Sequence, residues 1–168
     1  NLSNLSITGG YNVIGSDTYY DSSEISVDNM KDGGAAGGIF VSNAIPELKN
    51  IIISNNKASY GAGLLLFTSD ALLDNIIIKN NEGIAYDYLD ENNVSHIVNA
   101  EAGGVQLYDS TPVFSDVVIS DNSAEYGGGM ALLNSSIALG SNILIANNSA
   151  TVEGGGLIYT VFLMQEGE

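Results

Sequence analysis

The stretch Asn50-Ile51-Ile52-Ile53-Ser54-Asn55-Asn56-Lys57-Ala58 decides how the chain is read, because it recurs. It returns as Asn75-Ile76-Ile77-Ile78-Lys79-Asn80-Asn81 and as Asp116-Val117-Val118-Ile119-Ser120-Asp121-Asn122-Ser123-Ala124. It returns again as Asn142-Ile143-Leu144-Ile145-Ala146-Asn147-Asn148-Ser149-Ala150, with a degenerate copy at Asn4-Leu5-Ser6-Ile7. Glycines and a second apolar run follow each copy: Gly37-Gly38-Ile39-Phe40-Val41, Gly61-Ala62-Gly63-Leu64-Leu65-Leu66, Gly103-Gly104-Val105-Gln106-Leu107, Gly127-Gly128-Gly129-Met130-Ala131-Leu132 and Gly154-Gly155-Gly156-Leu157-Ile158-Tyr159. A single large apolar residue precedes the next copy: Leu48, Leu73, Phe114 and Leu139.

The spacing selects the architecture. Asn50 to Asn75 is 25 positions and Asp116 to Asn142 is 26, whereas Asn75 to Asp116 is 41 and Asn4 to Asn50 is 46. The two long gaps are one repeat plus an insertion each, over residues 11–36 and 83–102. A unit of about 25 residues with short β-rich runs and no 3.6-residue periodicity is too short for a propeller blade and lacks the helices of an ankyrin or armadillo unit. It fits one coil of three short parallel strands. The sequence therefore predicts an all-β, right-handed parallel β-helix of about five coils, a single domain over residues 1–168, with both insertions at one corner. The chain starts within a repeat and shows no polar cap at either end, so it is expected to be part of a longer solenoid or to stack end to end.

Stacking explains the residue types. With period-two alternation, Ile51, Ile76, Val117 and Ile143 form one inward column and Ile53, Ile78, Ile119 and Ile145 the next. Ile39, Leu64, Val105, Met130 and Leu157 form a third; Val41, Leu66, Leu107, Leu132 and Tyr159 form a fourth. Asn56, Asn81, Asn122 and Asn148 are expected to stack as an internal amide ladder, since each amide both donates and accepts. The outward positions are unusual: Ile52, Ile77, Val118 and Leu144 on the first strand, and Phe40, Leu65, Gln106, Ala131 and Ile158 on the second. Largely apolar outward columns mark a covered face or a lateral interface between molecules.

These repeats resemble those of chlamydial polymorphic outer-membrane proteins and of large secreted bacterial β-helix proteins of the pectate-lyase-like superfold. The resemblance covers the chain apart from the insertions. It implies an extracellular or cell-surface setting and roles ranging from adhesin and passenger domain to polysaccharide lyase or hydrolase. Such repeats commonly carry Thr or another polar residue where Ile52, Ile77, Val118 and Leu144 stand here.

Composition narrows the partners. The chain has 20 acidic residues, four lysines (Lys31, Lys49, Lys57, Lys79) and no arginine, for a net charge of −16. Phosphate neutralisation needs basic residues, so nucleic acid is excluded as a partner, and an anionic membrane surface is disfavoured. No apolar run is long enough to span a bilayer, and cysteine is absent. Lyases acting on acidic sugars rely on Arg or Lys, and the acidic field here repels a uronate. The lone His96 rules out a His-based metal cluster.

The insertions hold the remaining chemistry. Tyr19, Tyr20, Tyr86 and Tyr88 beside Asp87, Asp90 and Glu91 are candidates for binding a carbohydrate. No cofactor is expected and no spacing matches a known calcium-binding repeat, with Asp17, Asp21, Asp87 and Asp90 the candidate oxygen ligands if calcium binds. A solvated acidic loop with Tyr rings packed over the coil is the plainer reading of the same residues. Two functions follow: a non-catalytic structural or adhesive surface module that self-associates laterally or end to end, and a carbohydrate-binding module. A hydrolase would need two carboxylates held about 5–10 Å apart in a groove.

Overall fold

The computed structural model describes residues 2–12, 34–89, 92–137 and 139–160, all strands, bridges and turns. The first sheet contains β1 (Leu2–Thr8), β4 (Glu47–Ser54), β7 (Leu72–Lys79), β12 (Val113–Ser120) and β15 (Leu139–Ala146), side by side in that order. A narrow second sheet contains β2 (Tyr11–Asn12), β5 (Lys57–Ala58), β8 (Glu82–Gly83), β13 (Ser123–Tyr126) and β16 (Ser149–Glu153). The third contains β3 (Ile39–Ser42), β6 (Leu64–Phe67), β11 (Val105–Tyr108), β14 (Met130–Leu133) and β17 (Leu157–Thr160). Every neighbour pair within these sheets is parallel. Each coil therefore visits the three sheets in turn, and five coils stack into a β-helix.

The register follows the repeat. Leu5, Ile51, Ile76, Val117 and Ile143 pair in one row, and Ile7, Ile53, Ile78, Ile119 and Ile145 in another. These rows meet the inward residues of the third sheet in one core, with Ile53, Ile76, Ile78, Leu64, Leu66, Val105, Leu107 and Met130 without solvent exposure. Burying each such side chain stabilises the fold by about 1.5–3 kcal/mol.

One expected core position shifts. Phe114 pairs with Gly140, not with Leu139, which lies one residue earlier opposite Val113. The inward site at Gly140 is filled from its own coil: a Cβ there would lie 2.6 Å from Ile143 Cδ1. Ile137 packs against the same cluster.

The single apolar residue and the Ile-x-Ile run also form one strand, not two. The join is a left-handed residue in mid-strand: Asn4, Asn50, Asn75, Asp116 and Asn142 all have φ between 53° and 57°. Two further columns are left-handed: Asn55, Asn80, Asp121 and Asn147 before the second sheet, and Asn43, Thr68, Asp109 and Asn134 after the third. Asn and Asp tolerate this region best among residues with a Cβ, which accounts for their regular recurrence.

The internal amide ladder forms as expected. Asn56 Nδ2 donates to Asn81 Oδ1 (3.0 Å), Asn81 to Asn122 (2.9 Å) and Asn122 to Asn148 (3.0 Å). Each acceptor oxygen also takes the backbone N–H of the preceding rung's Asn, and the second amide hydrogen goes to a core-strand carbonyl such as Ile53 O or Ile78 O. The facing glycines make room. A Cβ on Gly63 would stand 2.6 Å from Gly104 O and 3.0 Å from Asn81 Nδ2, and Gly104 and Gly129 meet the same obstruction one coil on.

Two ladders were not anticipated. On the outside, Asn50 Nδ2 donates to Asn4 Oδ1, Asn75 Nδ2 to Asn50 Oδ1, and Asn142 Nδ2 to Asp116 Oδ1. At the third corner the buried hydroxyls of Ser69, Ser110 and Ser135 accept N–H groups from Ala44, Ser69 and Ser110 respectively, while each donates to the carbonyl two residues back.

Candidate functional site

Both insertions leave the coil at the second sheet, with the coil of Tyr60 between them. Ala35, Tyr60, Glu101 and Tyr126 are bridged in one column, extended by the pairing of Tyr126 with Glu153. The departures are narrower than the sequence suggested. Tyr11 and Asn12 belong to the coil as β2, and the chain is back on it by Ala35. The second insertion starts after Gly83 and rejoins at Ala100, and between them β9 (Tyr86–Leu89) and β10 (Ser95–Val98) form an antiparallel hairpin.

The candidate ligand residues scatter on this hairpin. Tyr86 is half-buried opposite Val98, while Asp87 is exposed opposite Ile97, itself 68% exposed. Tyr88 pairs in register with His96. Asp17, Tyr19, Tyr20, Asp21, Asp90 and Glu91 lie outside the described residues. Among the described residues no group of three acidic, His or Cys side chains comes together around a metal-sized space.

The two outward apolar columns differ. On the first sheet Ile52 is 38% exposed and Leu144 54%, with Ile77 and Val118 half-buried between them and Leu72 exposed in the neighbouring column. On the third sheet the column is covered from within the chain, the first of the two readings of its apolar outward residues, so Phe40, Leu65 and Ile158 do not form an open interface. Leu65 is fully buried by a second apolar cluster with Ala35 and Phe67, flanked by Ala36, Phe40 and Tyr108. Phe40 and Ile158 are half-buried. Here the corner column folds over the outer face of the sheet, and the Phe67 and Tyr108 rings stack across coils at 4.9 Å. Tyr108 OH is pushed up by this burial and, less, by the neighbouring Asp109 charge.

A notch opens where that column is thin. Its outward row reads Phe40, Leu65, Gln106, Ala131, Ile158, so the methyl of Ala131 lies between two long side chains. The resulting cavity holds about 260 Å³, with Ala131, Leu133, Ile158 and Thr160 on the sheet side and Asn99, Glu101, Tyr126 and Glu153 on the corner side. Glu101 accepts a 2.8 Å hydrogen bond from Gln106 Nε2. Burial pushes its carboxyl above the ordinary carboxylate value, and the Gln106 bond opposes that shift only in part. Gln106 is 1% exposed, and its Oε1 has no hydrogen-bond partner. The sequence carried a signal for this place, namely one polar and one small residue side by side in an otherwise large apolar column. The carboxylates, 52 residues apart, converge only through the register.

The described cations lie elsewhere. Lys49 pairs with Asp74 and Lys57 with Glu82, both across adjacent coils, and Lys79 belongs to the first sheet.

A family model described as a right-handed beta helix region matches residues 2–161. No curated protein and no solved structure matches the chain.

Proposed function

Because this chain belongs to the right-handed β-helix family, a fold that hosts catalytic and non-catalytic proteins alike, we propose that it is a non-catalytic structural module of an extracellular or cell-surface protein, and that it associates with a second copy of itself through the outer side of its first sheet. The observation that carries this reading is the in-register column Ile52, Ile77, Val118, Leu144 on four successive coils, continued on the first coil by Ser6, with Ile52 and Leu144 exposed.

Charge argues for a second copy as the occupant. The whole chain carries −16. The five strands of the first sheet hold Glu47, Asp74 and Asp116 against Lys49 and Lys79, a net of −1 (two positive, three negative). Two acidic molecules meet at least electrostatic cost where each is nearly neutral. Flat sheets with apolar outer rows pack face to face about 10 Å apart, and such contact removes these side chains from water.

The reading is tested by sedimentation velocity on the chain and on a variant carrying Ile52→Thr, Ile77→Thr, Val118→Thr and Leu144→Thr. Threonine keeps the β-preference of each position and removes the apolar surface. The chain is expected to dimerise with rising concentration and the variant to stay monomeric. Equal association of the two would move the contact to the coil ends, which the variant leaves intact, and would refute the lateral reading.

A further inference from the structure

We infer that the notch beside Tyr126 is a binding site for a primary ammonium group on an aliphatic stem, the group carried by a lysyl side chain or a free alkylamine. The inference does not rest on the lateral contact, which uses another face of the molecule.

The geometry is set by the stacking. Glu101, Tyr126 and Glu153 occupy one register column on successive coils. Coils lie about 4.8 Å apart, so the two glutamates flank the tyrosine, one a rung above and one a rung below, with backbones about 10 Å from each other. A cation on the Tyr126 rung is within reach of both carboxyls and of the aromatic ring. Two carboxyls alone are a poor set for a calcium ion, which takes six to eight oxygens, and among the described residues no group of three acidic, His or Cys side chains gathers around one point. An ammonium head with three donors suits them better. The opposite wall is aliphatic, with Ala131 at the base and Leu133 and Ile158 beside it, and it takes the methylene stem. Asn99 and Thr160 supply further acceptors at the rim.

A second observation points the same way. Among the described residues the wall around the half-buried Glu101 carboxyl holds no cation, and the hydrogen bond it accepts comes from the neutral amide of Gln106. Gln106 is itself buried beside Ala131 with an unsatisfied carbonyl oxygen. A buried carboxyl without a counter-charge is costly, and a bound ammonium offsets that cost. Anionic ligands are repelled by both glutamates, and a neutral ligand leaves Glu101 uncompensated.

The test is a titration of the ¹⁵N-labelled chain, followed through the backbone amides of the Tyr126 and Ala131 rungs, with n-pentylammonium and with n-pentanol as its uncharged counterpart. Saturable shifts with the amine and none with the alcohol are expected. Glu153→Gln should weaken amine binding by about tenfold, since it removes one of two charge-assisted bonds. Ala131→Leu should abolish it by filling the notch, and the same column already holds a leucine at Leu65, so the coil accommodates the change. A blocked lysyl peptide that binds more tightly than pentylamine assigns the site to a protein lysine; the reverse order assigns it to a free amine. No saturable shift with either amine, equal binding of pentanol, or amine binding unaltered in Ala131→Leu would overturn the inference.

Discussion

Asn81 donates its side-chain amide to Asn122 Oδ1 at 2.9 Å across 41 residues of sequence, the same geometry that links Asn56 to Asn81 across 25. The hairpin between them leaves the stacking of the coils unchanged. Stability here is a matter between neighbouring rungs, as expected for a solenoid.

Asn81→Ala should therefore be severe. It removes both the acceptor for Asn56 N and Nδ2 and the donor to Ile53 O, all inside the helix. Orphaning buried polar groups costs about 1–3 kcal/mol each, so a loss of about 3 kcal/mol or more is expected in chemical denaturation. Asn148→Ala, at the partly exposed last rung, should lose about half as much.

Gly63→Ala tests the close approach that the ladder requires. The added methyl meets Gly104 O and Ile78 Cγ2 inside contact distance. A loss of about 1–3 kcal/mol is expected from overpacking alone. Gly9→Ala, with open space around the new methyl but a φ of 77°, should cost only the backbone strain, about 1–2 kcal/mol.

The outer ladder predicts a stabilising change. Asp116 accepts from Asn142 but brings no amide hydrogen to hand on toward Asn75, whereas Asn50 and Asn75 each donate to the rung before. Asp116→Asn supplies that donor and suits the left-handed backbone. A gain of about 0.5–1 kcal/mol is expected, read as a rise in melting temperature.

Glu101 gives a pH dependence of defined sign. Its folded carboxyl titrates above the unfolded value because of burial. Its contribution to stability is thus full below the unfolded value of about 4.3 and is lost as pH rises through the folded value. Glu101→Gln keeps an acceptor for Gln106 and removes the titration. The variant should gain on the parent as pH rises above about 4.3 and then level off once the folded carboxyl has ionised, read in thermal melts, and a melting difference that does not change with pH would contradict the assignment. Asp70 behaves oppositely: hydrogen bonds from Thr111 N and Oγ1 hold it low, so its small contribution fades on acidification.

Much of the fold was legible because the coil repeats. Ile51 and Ile53 name their own columns, and Asn56 recurs with them at a constant offset. Leu139 was misplaced because a 26-residue coil shifts the position by one, and Gly140 gives no hint that Ile143 fills the site. The outer Asn column was visible as letters, but its left-handed backbone was not, since a mid-strand kink breaks no hydrophobic alternation. The sites were harder to read. The burial of Leu65 depends on Ala35 and Phe67 closing over the outer face, and the notch depends on which residues share a rung with Tyr126. Both are properties of the stack, not of any local stretch.

The proposed contact of two copies across the first sheet is open to direct measurement. The chain has no cysteine, so Ile77→Cys gives a single site for a nitroxide label at the middle of the apolar column. Dipolar spectroscopy on the labelled chain at associating concentration should return an intermolecular distance within roughly 25 Å, as two sheets about 10 Å apart require. A label at Asp109→Cys, at the third corner, should give a much longer distance or none. The absence of dipolar coupling at position 77 in an associated sample, or a shorter distance from position 109, would contradict the account.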